Sequence, residues 1–150
     1  MARVSIEHME LAADVQAAAS WVADALGTSG YGADFSAASL WEVDRFFDDH
    51  APDGRVLTGG LLSEQVGQRL FAIGGYVGEV IRRSLGGEWN GDDDDPHGEV
   101  NVELRLLDGS VVWPVQRALQ RFSYGADESF AAYGEVLGLH VGPRPDTAAS

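Results

Sequence analysis

The sequence predicts a single α+β domain, with helices packed on a small antiparallel sheet in the order α-α-α-β-β-(β)-α-α. Three observations point to it. Apolar residues recur at helical spacing through the first 85 positions, the period drops to two from Glu99, and Pro114 restarts a helical pattern. A chain of 150 residues buries roughly two thirds of the surface its unfolded form exposes, enough for one core. The expected domain is 1–141, followed by a frayed, unanchored tail over 142–150.

The first helix is expected over 6–26, where Met9, Ala12, Ala13, Val15, Ala19, Val22 and Leu26 share a face and alanine raises the propensity. Three glycines in GTSGYG end it. A second helix is expected from Ser36 or Ser39 to His50. Ser39 and Glu42 have capping-box spacing, and Leu40, Val43 and Phe47 form a stripe. A third runs from Ser63 to Leu85 and stops at Gly86-Gly87.

The run GDDDDPHG reads as an exposed loop, since four like charges repel and Pro96 and Gly98 interrupt any ladder. Beyond it, Val100, Val102, Leu104 and Leu106 alternate with polar residues, as in a strand with one dry face. Asp108-Gly109 predicts a two-residue hairpin turn that pairs Leu104 with Trp113 and places Trp113 on the dry face. Pro114 then opens a helix with Val115, Ala118, Leu119 and Phe122 inward, and a last helix follows over Asp127 to Leu139.

Composition excludes several chemistries. All ten basic residues are arginine, so no lysine is present for a phosphate-binding P-loop, a Schiff base or a kinase-type ATP site. Cysteine is absent, which removes disulfides, thiolate nucleophiles and cysteine-ligated metal. Against the ten arginines stand 24 acids, a net charge of −14, which repels nucleic acid and anionic membrane and favours a basic protein surface as partner. The N-terminus has acids where an export signal needs an apolar stretch, and no run is long enough to span a bilayer, so a cytoplasmic location is expected.

Few residues suggest a site. Asp92, Asp94 and His97 are candidate ligands for a divalent cation, but the acidic run lacks the ordered spacing of an EF-hand and reads first as a solvated loop. The four histidines form no HxxxH or HExxH pair, and no G-x-S-x-G elbow or dinucleotide fingerprint is present. In LFAIGGYVGEVIRRSLGGEW, residues 70–89, Ile73, Gly74, Val77, Ile81 and Leu85 fall within about 60° of Leu70 on a helix, and Glu79 lies on the far side. Residues 70–78 nevertheless carry no charge on any face, the mark of a helix wrapped by neighbours. Gly74, Gly75 and Gly78 would let those neighbours approach closely. Glu79, flanked at i+3 and i+4 by Arg82 and Arg83, is then expected at the rim of that seam. With Tyr76, Arg82, Trp89 and Arg117 it makes up the candidate ligand-binding set. The four tryptophans, Trp21, Trp41, Trp89 and Trp113, read as core.

Three stretches carry a resemblance to an uncharacterised bacterial family of domains of unknown function: DFSAASLWEVDRFFDD (34–49), IGGYVGEVIRRSLGGEW (73–89) and GSVVWPVQRALQRFSYGADESFAAYGEVL (109–137). The resemblance implies a small α+β domain in which a glycine-rich helix ending in GGxW precedes a hairpin and a proline-started helix. It implies no activity. Arg117 and Arg121 stand where the family tends to carry lysine, which argues against a role for a deprotonatable amine there.

The expected function is a non-catalytic binding module, without cofactor, that meets a basic protein surface, as an immunity protein meets a toxin. The alternative is a small-molecule or divalent-metal-binding enzyme with Glu79 as its base.

Overall fold

The computed structural model describes residues 2–51, 66–91, 94–95, 98–125 and 129–144, without the side chains of 2–12 and 99. Helix α1 (Ala2–Thr28) leads through a 3-10 turn (Ala37–Ser39) into α2 (Leu40–His50). The long α3 (Val66–Leu85) is followed by β1 (Glu88–Asn90), one helical turn α4 (Gly98–Asn101), β2 (Glu103–Arg105), β3 (Val111–Val112), α5 (Pro114–Tyr124) and α6 (Phe130–Leu137). This is the expected α+β order, with β1 as the additional strand. The start of α3 near Ser63 and residues 127–128 of the last helix lie outside the described residues.

Helix α3 is the central element, packed mainly between α1 and α5, while α6 packs on α2. Every residue from Ala72 to Ile81 is buried, so the uncharged run 70–78 is enclosed as its composition predicts. The glycines set the approach distances. A Cβ on Gly74 would fall 2.5 Å from the Cα of Val115 in α5, one on Gly75 would lie 3.0 Å from the carbonyl oxygen of Val15 in α1, and one on Gly78 would strike the Trp89 ring and Pro114. Helix α5 and the sheet therefore sit closer to α3 than any side chain there would permit, and α1 sits so close that a methyl would fit only if it gave way by a few tenths of an ångström.

The sheet is antiparallel in the order β1-β2-β3. One row, Trp89, Leu104 and Val112, crosses all three strands and faces inward, and the next row, Glu88, Arg105 and Val111, lies on the wetter side. The chain enters this sheet through Gly86 and Gly87, both at positive φ, and Gly87 lies against the carbonyl oxygen of Arg105.

Four expectations are corrected. The hairpin connection has three residues, because the Leu106 amide bonds to Ser110 and Leu107–Gly109 turn the chain, with Gly109 left-handed at φ 92°. The extra residue moves the register by one, so Leu104 faces Val112 and Trp113 is 43% exposed. Val100 belongs to the turn α4 rather than to a strand. The capping box at Ser39 and Glu42 does not form: Ser36 caps three residues earlier, Ser39 is helical and bonds to Tyr76, and Glu42 reaches the Gly32 amide and Arg45. Finally, the tail is held in its first residues, since the Trp41 indole donates to the Gly142 carbonyl at 3.1 Å and Arg144 lies 3.9 Å from Asp48. Residues 145–150 lie outside the described residues.

Candidate functional site

Glu79 is buried, with 2% of its surface exposed, because α1 and Trp89 of β1 cover the side of α3 that the helical angle alone leaves to solvent. Its carboxylate is densely partnered. Oε2 accepts from Arg82 Nε at 2.7 Å and from the Trp89 indole at 2.8 Å, and Oε1 accepts from the second Arg82 nitrogen at 3.0 Å. Arg83 stands 3.6 Å from Oε1, and Gln16 of α1 supplies another side-chain hydrogen bond. Burial pushes the Glu79 pKa up, but hydrogen bonds from Arg82 and Trp89 and the charge of Arg82 more than offset it, so the net shift is downward. The group is a locked anion that ties α3 to β1 and α1.

Tyr76, one turn earlier, forms a second knot. Its hydroxyl accepts from the Phe35 amide at 3.0 Å and shares a 2.7 Å hydrogen bond with Ser39 Oγ, while its ring lies 4.7 Å from that of Phe35. Phe35 has a positive φ of 64°, and the Arg83 guanidinium stacks over its ring at 3.8 Å. Arg83 thereby joins the two knots. Burial raises the Tyr76 pKa, partly countered by its bonds to Ser39 and Phe35, which keeps the phenol neutral. Arg117 packs elsewhere, over the Tyr133 ring at 4.2 Å. Of the five candidate residues, Glu79, Arg82 and Trp89 form one hydrogen-bonded group, Tyr76 adjoins it through Arg83 and Phe35, and Arg117 stacks on α6.

In the acidic loop, Asp92 and His97 lie outside the described residues. Asp94 is exposed, and Asp95 accepts from the Asn101 side chain at 3.0 Å. Among the described residues no group of three His, Asp or Glu side chains is placed to hold a metal ion.

A second buried polar cluster is one that the sequence reading did not single out. Arg121 of α5, 1% exposed, donates from Nε to Asp44 Oδ1 at 3.1 Å and from a terminal nitrogen to the Asp44 carbonyl at 3.0 Å and to Asp48 at 2.9 Å. Asp44 in turn caps α6. Its Oδ1 also accepts from the Phe130 amide at 2.9 Å, and its Oδ2 accepts from Ser129 Oγ at 2.7 Å and the Ala131 amide at 3.1 Å. All four lone-pair sites of this carboxylate are filled. The signal was present: Asp44 lies about 40° from Leu40 on the α2 wheel, inside the apolar stripe, and Arg121 falls beside Ala118 on the inward arc of α5. A charge on each of two dry faces is the pattern of a buried ion pair.

Of the tryptophans expected in the core, Trp89 is buried and Trp41 half-buried, whereas Trp21 is 52% exposed and Trp113 lies outside through the register shift. No family model matches the chain, and neither the curated proteins nor the solved structures contain a significant match to it.

Proposed function

We propose that this chain is a non-catalytic binding module whose partner presents a basic protein surface. The observation that carries the reading is the way charge is sorted. The arginines are engaged within the chain, Arg121 buried on Asp44, Arg82 on Glu79, Arg45 on Glu42, Arg105 on Glu103, and Arg83 and Arg117 on aromatic rings. Asp14, Asp24, Glu88 and Glu135, by contrast, turn outward. With a net charge of −14, the outer field attracts cationic surfaces and steers their approach. An immunity-type protein that covers the basic active site of a toxin, in the bacterial cytoplasm, is the sharper form of this reading.

An enzymatic use of Glu79 finds less support, since a general base needs a free lone pair at its operating pH and both oxygens of Glu79 are already hydrogen-bonded to fixed donors. No described helix is long and apolar enough to cross a membrane.

The test is affinity capture from the source cells at ~0.05 M and ~0.5 M salt, where screening shortens the reach of surface charge severalfold. The expected result is a basic protein retained at low salt, released at high salt and bound less well by the triple variant Asp14→Asn, Asp24→Asn, Glu88→Gln. Retention of no salt-sensitive basic protein overturns the proposal.

A further inference from the structure

The chain holds two asparagines, Asn90 and Asn101. Asn101 precedes the β-branched Val102, whereas Asn90 is the last residue of β1 and precedes Gly91. We propose that Asn90-Gly91 is a site of spontaneous deamidation, latched by the hydrogen bond from Asn90 to Glu103, and that its conversion unpins β1 from β2.

The reaction needs nothing but water. The Gly91 backbone nitrogen attacks the carbonyl carbon of the Asn90 side chain, a carbon–nitrogen bond forms, and the side-chain amide leaves as ammonia with the proton that the backbone nitrogen gives up. Water then opens the cyclic imide at either carbonyl. Overall, water enters and ammonia departs, and aspartate or isoaspartate stands in place of asparagine. Both reacting groups lie within one dipeptide, which gives the attack the advantage of an intramolecular step. Glycine leaves the nitrogen unhindered and lets the backbone turn into the attacking geometry, while the branched side chain of Val102 stiffens and crowds the same approach at Asn101.

The sheet controls when this happens. The Leu106 amide donates to Ser110, so alternation along β2 turns the backbone groups of Glu103 and Arg105 toward β1. Asn90 therefore sits in the ladder opposite Glu103, and the Gly91 nitrogen points away from β2. The Asn90 side chain adds a latch, donating to Glu103 Oε1 at 2.8 Å, an oxygen that Arg105 also holds at 2.9 Å. Extended backbone keeps the Gly91 nitrogen off the side-chain carbon, so attack waits for the end of β1 to open. That opening is small, because β1 has three residues and Asn90 is its last, and the ends of short elements open at the low end of the stability range.

Conversion is not undone by reclosing. An aspartate opposite Glu103 sets two carboxylates against each other across the strands where a donor met an acceptor, and like charges so placed repel. An isoaspartate routes the main chain through the former side chain, lengthens it by one carbon and carries the end of β1 out of register. Trp89, the neighbour of Asn90 in β1, donates to Glu79, so the change reaches the buried carboxylate of α3.

The test incubates the full chain for several weeks at mildly alkaline pH and maps it by peptide mass and isoaspartate content. Asn90 should convert about tenfold or more faster than Asn101, given the different residues that follow them. Glu103→Ala, which removes the acceptor, should speed conversion at Asn90 about tenfold, the factor by which a hydrogen bond to a charged group favours the closed form. Asn90→Gln, whose longer side chain closes a larger ring more slowly, should stay unconverted. Asn90→Asp, the product made directly, should accelerate hydrogen exchange at the Glu103 and Arg105 amides about tenfold while the Phe130 amide keeps its rate. Equal rates at the two asparagines, or no conversion at Asn90, overturns the proposal. So does a rate untouched by Glu103→Ala, or unchanged exchange of the β2 amides in Asn90→Asp.

Discussion

The charge on Glu79 is a stability device with a defined pH signature. Its folded-state pKa lies below the ordinary 4.5, so its contribution is fully present above pH 4.5 and is lost as pH falls through the lower, folded value. Glu79→Gln is expected to lower stability at neutral pH by about 1–3 kcal/mol. Arg82 retains access to water, which keeps the loss below that for a sealed pair. Thermal melts from pH 7 to pH 3 should show the gap between wild type and variant narrowing below pH 4.5, and a constant gap would exclude this account. Tyr76→Phe removes the hydroxyl that the Phe35 amide and Ser39 both use, at an expected cost of about 1–3 kcal/mol by denaturant titration. The role of Glu79 was half legible beforehand: the apolar run 70–78 placed it beside a packed seam, but the Trp89 indole that seals it comes from a strand whose path no helical wheel contains.

Between elements, the four bonds to Asp44 make α2 and α5 a socket for the first turn of α6. Asp44→Asn places an amide donor against either Arg121 or the α6 amides, so a loss of about 3 kcal/mol or more is expected, the usual result of breaking a buried pair. Native-state hydrogen exchange should locate the damage, with the Phe130 and Ala131 amides accelerating well before those of α3. If all helices accelerate equally, α6 is not separately held. The glycines of α3 give a contrasting pair. Gly74→Ala pushes a methyl into the backbone of Val115, with an overpacking cost of about 1–3 kcal/mol that exceeds the helix-propensity gain near 1 kcal/mol. At Gly67, exposed and with no described atom within 4 Å of a Cβ, the same substitution keeps only the gain and should raise stability by about 0.5–1 kcal/mol. Chemical denaturation of the two variants should move the midpoint in opposite directions. Periodicity made α3 and its glycines readable. It misread the hairpin because Asp-Gly suits both a two-residue turn and the last two positions of a three-residue turn, and only the fit of Val112 to the dry face decides between them.

Over the whole molecule, the order of helices and strands followed from local pattern, whereas the partners of the charges buried among the described residues did not. Asp44 meets Arg121 from 77 positions away, and Glu79 meets Trp89 only after the chain leaves α3 through Gly86-Gly87, and such pairings are set by tertiary packing. The outward field of the chain is set by composition alone and was legible at once. Backbone-close packing at Gly74, Gly75 and Gly78 has a consequence for how the protein changes over generations. At Gly74 and Gly78 a side chain would displace α5 or the sheet, and at Gly75 it would press on α1, so these contacts leave little room to drift. The acidic exterior has no such tether. Outward acids such as Asp14, Asp24, Glu88 and Glu135 can be redrawn one substitution at a time while the interior stays as it is.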